Sequence, residues 1–274
     1  MKLSEIMTTK LVTLQPEDSL DEAIRLFELY DFRHLPIVRG GALVSLLSRR
    51  DVCLATGWDL EPERKARGAR GPVEVREIMR DRIVTLTPEH HVEAATSMMV
   101  GKRVGAIPIL SDSTLVGIVT TSDLMEALRA RNPKAEWSVT GAAKVAEYMY
   151  SKPDTLTPGQ STSEAGDLCR RNDLRHLAIT DGGAIVGLVS ELELCHELDG
   201  HTLGEDRPLS HVMVTDVVTI GPNDDLAAAA DSMLAHRVSA LPVVEDREFV
   251  GLLTNEAIIQ HFTARHSANA QHRA

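Results

Sequence analysis

The stretch Val116-Gly117-Ile118-Val119-Thr120-Thr121-Ser122-Asp123 decides how this chain folds. Its apolar run, broken by a glycine, reads as a short strand, and the polar residues after it start a helix at Thr120 that holds Asp123 in its first turn. Three weaker copies stand elsewhere: Val44-Ser45-Leu46-Leu47-Ser48-Arg49-Arg50-Asp51, Val186-Gly187-Leu188-Val189-Ser190-Glu191-Leu192-Glu193 and Val250-Gly251-Leu252-Leu253-Thr254-Asn255-Glu256-Ala257. What the protein does is written in how the copies differ.

Working outward from these copies exposes a repeat of constant length. Each unit opens with an apolar residue and a methionine: Ile6-Met7, Ile78-Met79, Tyr148-Met149 and Val212-Met213. Six residues on stands a threonine (Thr13, Thr85, Thr155, Thr219), and three further a proline (Pro16, Pro88, Pro158, Pro222). Twenty-three residues past the threonine come Pro36, Pro108, Ala178 and Pro242, and fifteen more reach Asp51, Asp123, Glu193 and Ala257. No insertion or deletion falls inside a unit, so four copies of one small fold are a firmer inference than any single motif.

Period and punctuation give each unit the order β-α-β-β-α, an α/β (α+β) class. After a Val12-Thr13-Leu14 strand and Pro16, Ser19 with Glu22 resembles a capping box, and Leu20, Ala23, Ile24 and Phe27 follow helical spacing. The fourth unit keeps that stripe as Leu226, Ala229, Ala230 and Met233. Two strands then flank Arg39-Gly40-Gly41, repeated as Asp181-Gly182-Gly183, where glycine accepts the positive φ of a tight hairpin. The second helix starts at Ser48, Thr120, Ser190 or Thr254. Units one and three share Arg-His-Leu (Arg33-His34-Leu35, Arg175-His176-Leu177), whereas units two and four share Val-Gly/Ser-Ala (Val104-Gly105-Ala106, Val238-Ser239-Ala240). A pair duplicated whole explains this, with the break near Arg131-Asn132-Pro133-Lys134 and a charged, mobile connector from Glu61 to Pro72.

Composition excludes several classes. The chain has 274 residues, enough for about two average domains. A hydrophobic content of 43% argues against wholesale disorder, and no apolar run nears the roughly 20 residues that cross a bilayer. With no secretory segment after Met1, the expected place is the cytoplasm, without a membrane partner. Cys53, Cys169 and Cys195 form no C-x-x-C pair and read as buried thiols in a reducing compartment. A net charge of −11 and 3% aromatics speak against nucleic acid.

The methionine, threonine, proline and Ser/Thr-x-x-Asp positions together resemble the cystathionine-β-synthase (CBS) domain family. The resemblance runs from Met1 to about His261 and implies four CBS repeats (1–58, 73–131, 142–199 and 206–264) in two pseudo-twofold Bateman modules (1–131 and 142–264). It further implies clefts between paired repeats that hold adenosine nucleotides or related adenosyl ligands.

Ribose chemistry gives the motif a reason of its own. A carboxylate accepts hydrogen bonds from both vicinal hydroxyls of a ribose, which an amide or alanine cannot match. A Ser/Thr hydroxyl at a helix start, beside free N–H groups, suits a phosphate oxygen. Ser/Thr followed by an acid is equally a helix cap, the simpler reading for an isolated match. Four copies in a gapless repeat reverse that preference, because a cap tolerates any acid whereas a ligand predicts a full motif in some clefts and loss in others. Unit two is complete with Thr120 and Asp123, and unit one has Ser48 and Asp51 but Ser45 for glycine. Unit three has Ala178 and Glu193, and unit four has lost the acid to Ala257. The clefts therefore rank two, one, three, four.

The resemblance assigns adenine to Val84-Thr85 with Ile107-Pro108 and to Val12-Thr13 with Leu35-Pro36, although Ile107 and Leu35 taken singly read as core. It assigns phosphate to Arg33 and His34, with Lys102 and Arg103 nearby in unit two. His34 would make binding pH-sensitive if it meets phosphate.

No catalytic residue, metal site or bound cofactor is expected. His196-Glu197 with His201 has the wrong spacing for a metalloprotease helix, and the Ala264 to Ala274 tail reads as a frayed end. The expected function is non-catalytic regulation and energy sensing through AMP, ADP or ATP, with S-adenosylmethionine and NAD as further adenosyl ligands. The partners are that small molecule, a regulated protein that no motif names, and either a second copy in a homodimer or an intrachain CBS disc. The alternative is a structural or dimerisation scaffold with vestigial clefts.

Overall fold

The computed structural model describes residues 1–53, 55, 73–80, 83–131, 143–172, 174–191, 193–194 and 206–261, without the side chains of Cys53 and Arg131. The Glu61 to Pro72 connector, the break at 132–134, Cys195, the His196-Glu197 and His201 group and the tail from Ala264 lie outside them.

Each repeat forms an eleven-residue helix after its first proline: Leu20–Tyr30 (α1), Val92–Lys102 (α3), Thr162–Asn172 (α5) and Leu226–His236 (α6). The capping box expected at α1 is one-sided. Ser19 Oγ accepts from Glu22 N at 3.2 Å, but the Glu22 carboxylate turns to Arg25 at 2.6 Å. The α1 stripe is Leu20, Ala23, Leu26 and Phe27, with Ile24 at its margin, and α6 buries all four expected residues.

Hairpins follow as His34–Arg39 (β1) with Ala42–Ser48 (β2), Ala106–Ser111 (β3) with Thr114–Thr120 (β4), His176–Asp181 (β7) with Ala184–Ser190 (β8), and Ala240–Glu245 (β9) with Glu248–Thr254 (β10). Gly40, Gly41, Gly182 and Gly183 take φ of +58°, +85°, +56° and +89°, as two-residue turns between right-twisted strands demand. The even repeats meet the same demand without glycine, holding Asp112, Ser113, Asp246 and Arg247 at φ of 48°, 68°, 48° and 71°. Each second helix starts one residue later than expected, after the strand has taken the Ser or Thr: Arg49–Cys53 (α2), Thr121–Arg131 (α4) and residues 255–261.

The expected first strand is the feature that shrinks. In repeats one, two and four it is one parallel bridge: Leu14 to Ile37, Leu86 to Ile109 and Ile220 to Val243. The proline one residue before each partner can accept, as Pro36 O does from Leu14 N at 3.0 Å, but it has no N–H to give. Repeat three has Ala178 there, and its first strand, Thr155–Leu156 (β6), pairs two residues with β7.

The chain divides into two compact units, Met1–His91 with Val104–Thr120 and Val92–Arg103 with Thr121–Ala274. In the first, one sheet runs β1-β2-β4-β3, the hairpins meeting where Ala42 faces Thr114. The opening segments of the repeats are exchanged. Leu3 N donates to His90 O (2.7 Å) and Ser4 N to Pro88 O (3.1 Å), and in return Val75 N donates to Asp18 O and Arg76 N to Pro16 O, both at 2.9 Å. Val75 thus lies within the core of repeat one, with Leu14, Phe27, Leu35, Ile37 and Leu47, and Ile78 and Met79 pack against it.

The second unit repeats the exchange. Val145 N and Ala146 N donate to Asp224 O and Pro222 O at 3.0 and 2.9 Å, while Leu209 N and Ser210 N donate to Gln160 O and Pro158 O at 2.7 and 2.9 Å. Its sheets are β5-β10-β9, where β5 is Tyr150–Ser151, and β6-β7-β8, and Phe249 N donates to Gly183 O at 3.0 Å. Helices α3 and α4 belong to this unit too. Arg129 of α4 is ion-paired with Asp231 of α6, and Asn255 Nδ2 donates to Thr121 Oγ1 at 3.3 Å. Cys169 is fully buried, as its reading as a structural thiol requires.

Candidate functional site

The strand-to-helix junctions carry the candidate chemistry, and in repeat one the junction is both cap and acid. Ser48 ends β2. Asp51 N donates to Ser48 Oγ at 3.2 Å, while Asp51 Oδ2 accepts from Ser48 N at 2.9 Å and from Ser48 Oγ at 2.5 Å. That reciprocal box satisfies the first turn of α2. Repeat three does the same with a longer side chain: Glu193 Oε2 accepts from Ser190 N at 2.7 Å and from the Ser190 hydroxyl. Repeat four has half of it, Ala257 N donating to Thr254 Oγ1 at 3.4 Å. Capping is therefore real, and it occupies one carboxylate oxygen of Asp51. The other oxygen, Oδ1, meets Arg80 Nη2 at 2.5 Å, and the Asp51 side chain is 8% exposed.

In repeat two, Thr120 closes β4 and Asp123 stands in the first turn of α4; both are half-buried, in contrast to Asp51. Leu35 and Ile107 are 0% exposed and belong to the core. Pro36 and Pro108 are buried, Val12, Val84 and Thr85 half-buried and Thr13 exposed.

Arg33 is exposed and stands opposite Arg49, one residue beyond the His34–Ser48 pair, with Arg33 O accepting from Arg49 N at 3.0 Å. His34 turns instead across the pair: a Cβ on Gly105 would be 3.2 Å from its Cε1. In the second unit the equivalent ring, His176, lies 3.0 Å from Ser239 Oγ. The odd-unit Arg-His-Leu and the even-unit Val-Gly/Ser-Ala are thus two halves of one contact. Lys102 and Arg103 are exposed at the end of α3, Arg103 with φ of 53°.

The second pair shows what sequence reading missed. Arg175, the counterpart of Arg33, is ion-paired with Glu256 at 2.8 Å. Glu256 corresponds to Ser122 in repeat two, so the acid that occupies this cation has no equivalent in the first pair. The signal was present as a charge at the residue beside Ala257, but its target lay 81 residues away.

The motif glycine also has a cause. A Cβ on Gly117 would be 2.6 Å from Met7 Sδ, and Gly187 and Gly251 face Met213 and Met149 at 2.6 and 2.7 Å. The methionine that opens each unit crosses the glycine of its paired repeat, so glycine marks packing rather than ligand contact. Repeat one differs. Ser45 is fully buried, and its Oγ donates to Arg80 O at 2.9 Å and accepts from Arg80 N at 3.2 Å.

Among the described residues no helix is long and apolar enough to cross a membrane, and no group of three or more His, Cys, Asp or Glu is placed to hold a metal ion.

Known proteins carry the same plan. Protein MJ1225 of Methanocaldococcus jannaschii is 24% identical over 96% of this chain and 98% of its own length, and its crystal structure matches with a TM-score of 0.82 at 22% identity over 96% of this chain and all of that one. MJ1404 of the same organism is 27% identical over 94% of this chain, which spans 61% of that protein. An uncharacterized conserved protein from Pyrococcus horikoshii shares the fold with a TM-score of 0.66 at 17% identity, over 95% of this chain and 99% of that one. The CBS domain model matches residues 3–56, 75–130, 145–200 and 209–264, so the chain belongs to the CBS domain family, with four such domains along its length.

Proposed function

We propose that this protein is a non-catalytic regulatory module that binds an adenosine nucleotide or related adenosyl ligand, chiefly in its first pair of repeats, residues 1–131. Occupancy passes on as a change in the angle between repeats, which requires that the ligand bind the two shapes with different affinity. One observation carries the reading: the pairs have diverged at equivalent positions. The first keeps Asp123 beside uncharged Ser122 and an exposed Arg33, whereas the second has Ala257 and ties Arg175 to Glu256. An ion pair of this kind takes the cation from a phosphate, and an alanine offers a ribose nothing. MJ1225, similar over the whole chain, has itself been put forward as an archaeal homolog of g-AMPK, and an energy-sensing role is part of the proposal.

Titration calorimetry with AMP, ADP, ATP, NAD and S-adenosylmethionine on wild type and Asp123→Ala tests it. Hydrogen bonds to a charged group contribute about 1.5–3 kcal/mol, so losing the carboxylate lowers affinity by roughly tenfold or more. Equal binding by both proteins removes the site.

The closed cation of the second pair favours a structural role for residues 142–264. In that case the stabilisation lost in Asp123→Ala matches the weakened affinity of the first pair, with no share from the second, since a ligand stabilises only the native state that binds it.

A further inference from the structure

Two exceptions to the repeat coincide in space. The position that is glycine in repeats two, three and four is Ser45 in repeat one, and the residue after the opening methionine is Thr8, Tyr150 or Val214 elsewhere but Arg80 in repeat two. Ser45 Oγ holds both backbone groups of Arg80, at 2.9 and 3.2 Å. So anchored, the guanidinium reaches Asp51 Oδ1 at 2.5 Å, while Ser48 holds Oδ2. The segment paired with β4 carries Thr8 at the place of Arg80, with Thr8 N donating to Ile118 O at 2.9 Å, and a threonine side chain has no charge to offer a carboxylate.

We infer that Arg80 is a latch on the Asp51 clamp, one that Thr8 at the equivalent position of repeat one cannot provide. This rests on reading the Ser/Thr-x-x-Asp segments as sugar clamps. A ribose diol reaching Asp51 must first displace the guanidinium from Oδ1, so the gain from its hydroxyl bonds to the carboxylate is reduced by the loss of a contact between two full charges. The Arg80 side chain is 64% exposed, so its release needs no unpacking of the core. Ser45 sets where the latch sits, and Asp51 is what it covers.

The test is titration of the full chain with AMP in wild type, Arg80→Ala, Arg80→Gln, Ser45→Gly and Arg80→Ala/Asp51→Ala. Wild type is expected to show one strong event that Asp123→Ala weakens by roughly tenfold or more. Arg80→Ala and Arg80→Gln add a second event per chain, or tighten a weak one by about tenfold, the ratio a single net charged bond commands. Asp51→Ala in the Arg80→Ala background removes it again. Ser45→Gly keeps the guanidinium but frees its anchor and gives part of the gain. Unchanged affinity and stoichiometry in Arg80→Ala overturn the latch, as do two equal events in wild type. Weaker AMP binding in Arg80→Ala also overturns it, since Arg80 is then a phosphate ligand. Failure of the underlying reading looks different: Asp123→Ala binds AMP as wild type does, or no variant binds at all, and the latch then falls with it.

Discussion

At Gly117 one added carbon would stand 2.6 Å from Met7 Sδ, 2.9 Å from its Cγ and 3.2 Å from its Cβ. Two of these distances are closer than a Cβ can approach, so Gly117→Ala forces Met7, and with it the packing of the opening segment of repeat one on β4, to shift. Overpacking of this kind costs about 1–3 kcal/mol, and denaturant unfolding should read that loss. Met7→Ala in the same chain should return part of it, and strictly additive costs would disprove the contact. Both residues were visible in the sequence as repeat positions. That they touch was not, because they lie in different repeats. For Leu35 and Ile107 the family resemblance assigned a place beside a cleft while each taken singly read as core, and their zero exposure makes them core.

At the scale of elements, each repeat donates its first turn to its paired repeat, and the proline before each helix is fixed through its own carbonyl, which accepts from a backbone N–H of that paired repeat. Helix α5 shows what such a junction contributes. Asp206, from the opening of repeat four, accepts from Ser163 N at 3.0 Å and from Thr162 Oγ1 at 3.3 Å at the start of repeat three's helix. The backbone hydrogen bond from Ser163, ahead of those from the Ser161, Ser163 and Thr162 side chains, lowers the Asp206 pKa from its ordinary 3.8. A lowered carboxylate stabilises the fold fully above that ordinary value and loses its contribution as pH falls through the lowered one. Asp206→Ala should therefore cost about 0.5–2 kcal/mol at neutral pH, the range for a lost helix cap, and the gap to wild type should close on acidification below pH 3.8. A gap that stays constant with pH would disprove the assignment. The hairpins and helices were readable from period and turn chemistry. The first strand was over-read, because proline at 36, 108 and 242 withholds the N–H that a longer parallel ladder needs.

For the molecule as a whole, the two pairs share one architecture and differ in charge placement. Repairing the second pair is the strongest test of that view. Glu256→Ser with Ala257→Asp releases Arg175 and supplies a carboxylate, so a chain with Asp123→Ala in the first pair should regain ligand-induced stabilisation. At ligand 100-fold above Kd that is about 2.7 kcal/mol, readable as a rise in Tm. No rise would mean that the clefts differ in more than these residues.

The amino-acid sequence by itself determined the four-fold repeat, its constant spacing, the hairpin turns and the kinship of odd with odd and even with even units. These are matters of local period and of residues that only certain backbone shapes accept. The tertiary structure alone decided which side chains occupy the candidate clamps. Arg80 on Asp51, Glu256 on Arg175 and Met7 on Gly117 join residues far apart in the chain, and no local pattern encodes a partner that only the exchange between repeats brings within reach.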